Sequence, residues 1–185
     1  MRSPVLTLAV AVLATALSRQ AQAQTAPPAL DSAALRHSID ELRHARGRWQ
    51  VETEFLNPNG TVARKASGTY HFEWVIEDRM LRGESAIPDL RMVSGILFYV
   101  SPGRRVIEMI SVGADGVLWT MTGPLGGETR TTQPYKAQGG GEGRLRFTRY
   151  NVSADFFESR MEYSEDDGKS WLPGNHQTFR RIRAP

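Results

Sequence analysis

The chain has 185 residues, with 23 Lys and Arg against 20 Asp and Glu, no Cys and a hydrophobic content of 40%. This length suits one ordinary domain and is short for two. The composition excludes a disordered or fibrous chain, and without Cys no disulfide can stabilise the fold. The sequence pI of about 9.5 raises the question of a nucleic-acid partner.

The first 23 residues have the three parts of a secretory signal peptide. Arg2 precedes an apolar run over residues 5–17, and Ala21 and Ala23 supply the small residues of a cleavage site. The run is shorter than the roughly 20 residues that a membrane-spanning helix needs. We therefore expect cleavage after Ala23, a linker over 24–30 and a periplasmic or secreted protein without a transmembrane segment, with an uncleaved anchor as the alternative.

Cleavage also changes the charge balance. It would remove Arg2 and Arg19 but no acidic residue, which leaves 21 basic against 20 acidic side chains. Nucleic-acid binding normally needs a basic stripe. The nearly balanced charge therefore predicts no nucleic-acid partner.

The mature chain begins with an amphipathic pattern that predicts one helix over residues 32–46. Asp31 or Ser32 can cap its start, and Gly47 ends it. The apolar side chains share one face at i, i+4 and i+7: Leu35, Ile39 and Leu42.

Four polar residues of this helix have a spacing that could bind zinc: His37, Asp40, Glu41 and His44. They lie opposite the apolar face at about 100° per residue. A solvated polar face explains them without a metal, so we predict no metal site here.

From residue 48 onward the hydrophobic period changes from 3.6 to 2, which is typical of half-buried strands. Turn residues separate the segments, and no helical segment comes between them. The pattern predicts an all-β, antiparallel up-and-down barrel of about 8–10 strands in a single domain over 31–185. The predicted strands cover residues 48–55, 70–76, 80–86, 91–100, 104–112, 117–122, 128–135, 144–152, 155–164 and 176–183.

The first and the last predicted strands carry matching motifs. Gly47, Arg48 and Trp49 form G-x-W at the first strand, and the last strand carries Arg180, Arg181 and Arg183. A guanidinium plane can stack on an indole and bind backbone carbonyls at the same time. We expect Trp49, Arg180 and Arg181 to close the barrel.

A second motif lies near the C-terminus. Residues 164–171 match S-x-D-x-G-x-x-W through Ser164, Asp166, Gly168 and Trp171. The Asp166 carboxylate would bind backbone N–H groups of its own turn, and Gly168 would adopt positive φ. A single copy of this motif predicts a structural hairpin.

Together with residues 75–81 and the final Phe-Arg-Arg, these motifs resemble a family of small lipocalin-like (calycin-type) bacterial barrels of unknown function. The resemblance covers residues 42–183. It implies the barrel fold, with the G-x-W tryptophan packed beneath an arginine of the last strand, and it implies no activity or catalytic residue.

The interior positions of the predicted barrel are rich in large apolar side chains. Either they interlock as a core, or they surround a ligand cavity, for which a volume above about 300 Å³ would be expected. We predict an apolar or aromatic small-molecule ligand. The candidate lining residues are Tyr70, Phe72, Trp74, Ile96, Phe98, Trp119, Met121, Phe147, Met161 and Phe179.

The other histidines offer one alternative ligand. His71 falls between aromatics and is expected to face outward, whereas His176 begins the last strand, where a haem-binding barrel would place its axial ligand. The glycine-rich opening motif of such barrels is missing, so we predict no cofactor. Nucleophile-elbow, phosphate-loop and dinucleotide motifs are also missing.

Two further alternatives complete the functional predictions. An enzyme on the same barrel, of isomerase, cyclase or hydrolase type, would need Glu108, Arg160 or Tyr163 to turn inward by a shift of strand phase. Residues 92–100 are apolar on both faces, which predicts an outer face covered by the helix or by a second subunit in a homodimer. A structural cell-envelope protein acting through that face is therefore the third possibility.

Overall fold

The computed structural model describes residues 32–137 and 140–183, so the predicted signal peptide, the linker and Asp31 lie outside the described residues. A helix leads into eleven strands and one short 3-10 helix, Pro88–Leu90. The elements are α1 (Ser32–Ala45), β1 (Gly47–Leu56), β2 (Val62–Ile76), β3 (Met80–Ile87), β4 (Met92–Ser101), β5 (Val106–Gly113), β6 (Leu118–Pro124), β7 (Thr129–Thr132), β8 (Tyr135–Lys136), β9 (Glu142–Ser153), β10 (Phe156–Ser164) and β11 (Leu172–Ile182).

The strands pair with their neighbours in the chain and then close into a ring. β1 to β7 follow one another, β9 pairs with β7 and β10, and β11 returns to β1, all of them antiparallel. β8 pairs only with β9. Ten of the eleven strands in the described ranges thus form a closed barrel, which confirms the predicted fold class.

Two strands differ from the prediction in their extent. β2 begins at Val62 rather than Tyr70, because residues 62–69 pair with β1 although few of them are apolar. The segment predicted as one strand over 128–135 is divided into β7 and β8. Pro134 stands between them and has no N–H to donate to the sheet.

Alternating burial along β1 shows how the strands divide their side chains between the two faces. Trp49, Val51 and Thr53 are buried, whereas the residues between them are exposed. The inward side chains of the other strands join Trp49 and Val51 in one hydrophobic core with Leu42 of α1. The barrel interior is therefore the core of the protein.

Helix α1 lies across the end of the barrel at which β1 begins. Three turns at this end contact it: the Ser38 hydroxyl accepts a bond from the Gly126 N–H at 2.9 Å, His44 bonds the Ser153 carbonyl at 2.7 Å, and Arg43 pairs with Asp78. The helix therefore forms the floor of the barrel.

The structure places Arg181 over the Trp49 indole, with the guanidinium carbon 4.2 Å from the ring centroid. The same guanidinium donates to the carbonyls of Arg46 and His44, both at 2.7 Å. The Trp49 N–H donates to the Ala45 carbonyl at 2.8 Å. Arg181 and Trp49 thus join the last strand and the first strand to the end of α1.

The other two arginines of the last strand lie elsewhere. Arg180 is exposed and stacks over Phe156 at 5.2 Å, and Arg183 pairs with Asp155. The exposed Arg180 does not share the Trp49 contact, because successive side chains of a strand point to opposite faces.

The turn between β10 and β11 contains the Asp166 motif. Asp166 accepts bonds from the Ser164 hydroxyl at 2.7 Å and from the Ser170 N–H at 2.9 Å, and Gly168 has φ of +85°. The Trp171 ring packs close to Gly168. The Arg146 guanidinium lies over the same ring, with the guanidinium carbon 4.1 Å from the ring centroid.

The outer face of β4 is not covered by α1. Val93 and Leu97 are 52% and 39% exposed, because the helix lies at the end of the barrel rather than along its side. The prediction that the helix covers this face is therefore wrong. Coverage by a second subunit stays a prediction.

In residues 32–137 and 140–183, no helix has both the length and the apolar character needed to cross a membrane.

Replacing Arg181 tests its role at the barrel floor. A lysine cannot bond two carbonyls while lying flat on an indole, so Arg181→Lys should lower the free energy of unfolding by about 1–3 kcal/mol. The matched exposed change, Arg180→Lys, should alter it by less than about 0.5 kcal/mol. Urea unfolding measures both, and equal effects of the two changes would contradict this role.

The Asp166 turn predicts a pH dependence of stability. Hydrogen bonds from Ser170, and then from Ser164, lower the pKa of Asp166 to about 2. A carboxyl with a lowered pKa stabilises the fold above its ordinary pKa and loses this effect as the pH falls towards 2. The stability difference between wild type and Asp166→Asn should be full at pH 6 and shrink below about pH 4. A difference that is constant over this range in urea titrations would contradict it.

Candidate functional site

The barrel encloses a cavity of about 170 Å³. Its floor is formed by Glu41 and Ala45 of α1, and its walls come from inward side chains of the strands. Eight of the fourteen wall residues are aromatic or methionine. The wall residues are Tyr70, Phe72, Ser85, Ser94, Ile96, Phe98, Met109, Ser111, Phe147, Arg149, Phe157, Met161, Gln177 and Phe179.

The structure brings part of the predicted lining set together. Seven of its residues border the cavity: Tyr70, Phe72, Ile96, Phe98, Phe147, Met161 and Phe179. Trp74, Trp119 and Met121 do not. Trp74 packs against the core, Met121 is 2% exposed, and Trp119 lies edge-on against Tyr135 at 5.1 Å.

Contacts between the rings hold the cavity wall in place. Phe157 and Phe179 stack with their centroids 4.1 Å apart, and Tyr70 meets Phe179 edge-on at 5.3 Å. Trp49 in turn packs edge-on against Phe157 at 5.0 Å. The wall of the cavity therefore continues into the contact between Trp49 and Arg181.

The size of the cavity limits what it can hold. Its volume does not reach the roughly 300 Å³ that we expected above for a ligand cavity, so a drug-sized ligand does not fit. An apolar cavity of about 150 Å³ in another protein is known to hold benzene. The volume therefore suits a molecule with a single ring.

Glu41 on the floor of the cavity belongs to a buried ion pair. Glu41 Oε2 accepts a bond from Arg130 Nη2 at 2.5 Å, and the two side chains are 2% and 0% exposed. The Arg130 guanidinium also lies over the Phe98 ring at 4.8 Å. Burial raises the pKa of Glu41, although the charges of Arg130 and Arg149 oppose this shift.

The burial of Glu41 shows that its prediction on a solvated face is wrong. The buried residues of α1 are Ser38, Glu41, Leu42 and Ala45, also at i, i+3, i+4 and i+7. Their centre lies about 70° around the helix from the predicted apolar face, at 100° per residue. A periodicity of apolar residues misses this face because two of its four members are polar.

The other polar residues of α1 do not share the buried position of Glu41. Asp40 is exposed and pairs with Arg43, and His37 bonds Glu128 at 2.8 Å. The His44 ring contacts Trp49 at 5.3 Å, and burial lowers its pKa. Within the described part of the chain, no three His, Cys, Asp or Glu residues are grouped so that they could hold a metal ion.

A second arginine reaches the cavity beside the ion pair. Arg149 is 7% exposed, and its guanidinium contacts Glu128 at 3.2 Å and His44 at 2.9 Å. Two inward arginines therefore each have a carboxylate partner at this end of the barrel.

Hydroxyl and amide groups border the cavity farther from α1. Gln177 donates to the Thr53 hydroxyl at 3.0 Å and to the Tyr70 hydroxyl at 3.4 Å. Ser85 pairs across the sheet with Ser94, and Ser111 lies on the next strand. We did not predict these serines, although their alternation with outward residues could have revealed them.

The residues proposed for the alternative functions lie away from the cavity. Glu108 and Arg160 have the outward phase, since their strand neighbours Met109 and Met161 border the cavity. Glu108 accepts bonds from Tyr99 and Arg104 on the outer side. Tyr163 has the inward phase of Met161 but lies beyond the cavity lining.

The two remaining histidines have separate surroundings. His176 lies between two carboxylates, 3.5 Å from Glu54 and 3.3 Å from Glu158, and it stacks on Tyr150. It does not border the cavity, whose nearest lining residue in sequence is Gln177. His71 is half-buried on β2, with the phase opposite to that of the lining residues Tyr70 and Phe72.

Comparisons with solved structures found similar folds at low sequence identity. The S-type phycobiliprotein lyase CPES from Guillardia theta is 12% identical with a TM-score of 0.50, over 85% of this chain and 100% of that chain. A DUF3598-family protein of unknown function from Nostoc punctiforme PCC 73102 is 11% identical with a TM-score of 0.44, over 76% of this chain. The match covers only 49% of the Nostoc protein. EF1p2_mFAP2b, solved bound to DFHBI, is 15% identical with a TM-score of 0.38, over 79% of this chain and 98% of that chain.

The likeness to the phycobiliprotein lyase, at a TM-score of 0.50, agrees with the closed antiparallel barrel of this chain. At these identities the likeness concerns the fold. No protein-family model matches the chain, and no curated protein has a matching sequence. Membership in the bacterial family named above therefore stays a prediction.

The buried ion pair predicts an asymmetric response to mutation. Glu41→Gln leaves the buried Arg130 cation without its counter-charge and should lower the free energy of unfolding by about 3–5 kcal/mol. The Glu41→Met/Arg130→Met double variant removes both charges at similar volume and should be close to wild type or more stable. Chemical unfolding of the three proteins measures this. A double variant less stable than Glu41→Gln would contradict the prediction.

Proposed function

We propose that this protein is an exported binding protein that holds one small apolar or aromatic molecule inside its barrel. The observation that carries the proposal is the cavity, whose wall is built from aromatic rings and contains a few polar groups. This combination is typical of small-molecule sites, in which apolar walls provide affinity and polar groups fix orientation.

The cavity supports binding because its wall is held in place before a ligand arrives. Phe157 and Phe179 stack on each other, and Tyr70 is packed between Phe179 and the Gln177 amide. Side chains that are already ordered lose little conformational freedom on binding.

Catalysis has weaker support. Of the residues suggested for an enzyme, Glu108 and Arg160 face outward and Tyr163 does not border the cavity. Glu41 does border it, but Arg130 neutralises its charge in a buried pair. The geometry therefore favours binding without chemical conversion.

An assembly role has one specific observation in its favour. Apolar side chains of adjacent strands are exposed on the outside of the barrel: Val93, Leu97, Val112 and Leu118. Patches of this kind often mark contacts between proteins. A homodimer through this face is the second candidate, and it is compatible with a ligand inside each barrel.

Export is supported by the sequence of residues 1–23, with its apolar run and small-residue cleavage site. The mature protein would begin at Gln24 and function in the periplasm or outside the cell. Its nearly balanced charge favours a small-molecule ligand over a nucleic acid.

Native mass spectrometry of the protein purified from its own host tests these proposals together. A mass that corresponds to residues 24–185 would support export, and a co-purifying small molecule would support binding. A dimer without any ligand would favour the assembly role instead.

A cavity-filling variant tests whether binding takes place inside the barrel. Toluene should bind the wild-type protein and raise its Tm. Ser111→Leu places a larger side chain in the cavity and should weaken toluene binding at least tenfold. The matched control Val112→Leu changes the neighbouring outward residue and should bind as wild type does. Calorimetric titration measures this, and equal binding by both variants would place the ligand elsewhere.

A further inference from the structure

The floor of the cavity holds a carboxylate with an incomplete set of partners. Glu41 is 3% exposed and borders the cavity, and Arg130 Nη2 donates to its Oε2. Among the described residues, Arg130 is the side chain that hydrogen-bonds this carboxylate. A carboxylate has about four acceptor positions, so Glu41 can accept a further bond from a molecule in the cavity.

Charges around the floor are already balanced. Arg130 pairs with Glu41, and Arg149 pairs with Glu128. His44 contacts Arg149, and burial favours its neutral form. An ion entering the cavity would lose its hydration without finding a free counter-charge, which is costly in a buried site. The floor therefore favours a neutral ligand.

The wall residues above the floor limit the shape and polarity of the rest of the ligand. Phe98 lies beneath Arg130, and Ser94 is four residues away along β4, about 13 Å at 3.3 Å per residue. Ile96 lies between them on β4 and also borders the cavity. The serine hydroxyls at the far end can rotate to act as donor or acceptor, so they select for no particular polar group. Glu41, whose position is set by Arg130, can select for a donor.

We infer that the ligand is a neutral, single-ring aromatic molecule with one hydrogen-bond donor, of the phenol type, directed at the Glu41 carboxylate. This inference rests on the proposed function. The ring occupies the aromatic walls, and the hydroxyl donates a hydrogen bond to the Glu41 carboxylate, which borders the cavity. The ion pair thereby acts as a specificity element, in addition to joining α1 to the barrel.

Four one-ring probes of similar size test the inference on the wild-type protein. They are phenol, toluene, benzoate and benzylammonium, with affinities measured by calorimetric titration at pH 7. Phenol should bind about tenfold or more tightly than toluene, because a hydrogen bond to a buried charged acceptor is strongly favourable. Benzoate and benzylammonium should bind at least tenfold more weakly than phenol.

The source of the preference is tested with the Glu41→Met/Arg130→Met double variant, which is expected to fold. It should retain toluene binding and lose the preference for phenol. Ser111→Ala changes a hydroxyl at the far end of the cavity and should keep the preference.

The outcomes separate this inference from the proposed function. If toluene and phenol bind equally, or if benzoate binds most tightly, the barrel binds small molecules but the inference is wrong. If the double variant keeps the preference for phenol and Ser111→Ala loses it, the donor is bound by the serines and Glu41 is wrongly assigned. If none of the probes binds, the proposed function fails.

Discussion

The buried pair of Glu41 and Arg130 is the constraint on which the interior of this barrel depends. It joins helix α1 to β7 where the helix forms the floor of the barrel, and neither side chain has contact with solvent. Breaking such a pair is costly, whereas an apolar replacement of both partners is often tolerated. Its retention in an otherwise aromatic interior is therefore more easily explained by specificity than by stability.

The floor of the barrel and the contact between Arg181 and Trp49 are connected. Arg181 stacks on Trp49 and bonds carbonyls at the end of α1, and Trp49 packs on Phe157, which borders the cavity. An eight-stranded barrel has an interior that side chains just fill, and a closed ring of ten strands has a wider one. Because α1 and these rings fill one end, a cavity of about 170 Å³ is left, which suits one ring rather than a large ligand.

Sequence patterns predicted the strands well where burial alternates, as in β1, and poorly where it does not. The start of β2 gives no strand pattern, because its residues are mostly polar. The alternation predicts one strand where Pro134 separates β7 from β8. The candidate site was recovered through its large rings. The sequence places Glu41 on a solvated face and gives no signal for Arg149 or the serines, because polar residues give no hydrophobic period and their partners are distant in the chain.

Local sequence patterns are sufficient to predict the all-β class, the single helix, the turn at Asp166 and the Trp and Arg motifs of the first and last strands. These follow from local periodicity and turn chemistry, which act over a few residues. The buried face of α1, the pairing of Glu41 with Arg130 and the size of the remaining cavity follow from the tertiary structure alone. Those outcomes depend on contacts between distant residues, such as Glu41 and Arg130, which are 89 positions apart in the chain, and no local pattern records them.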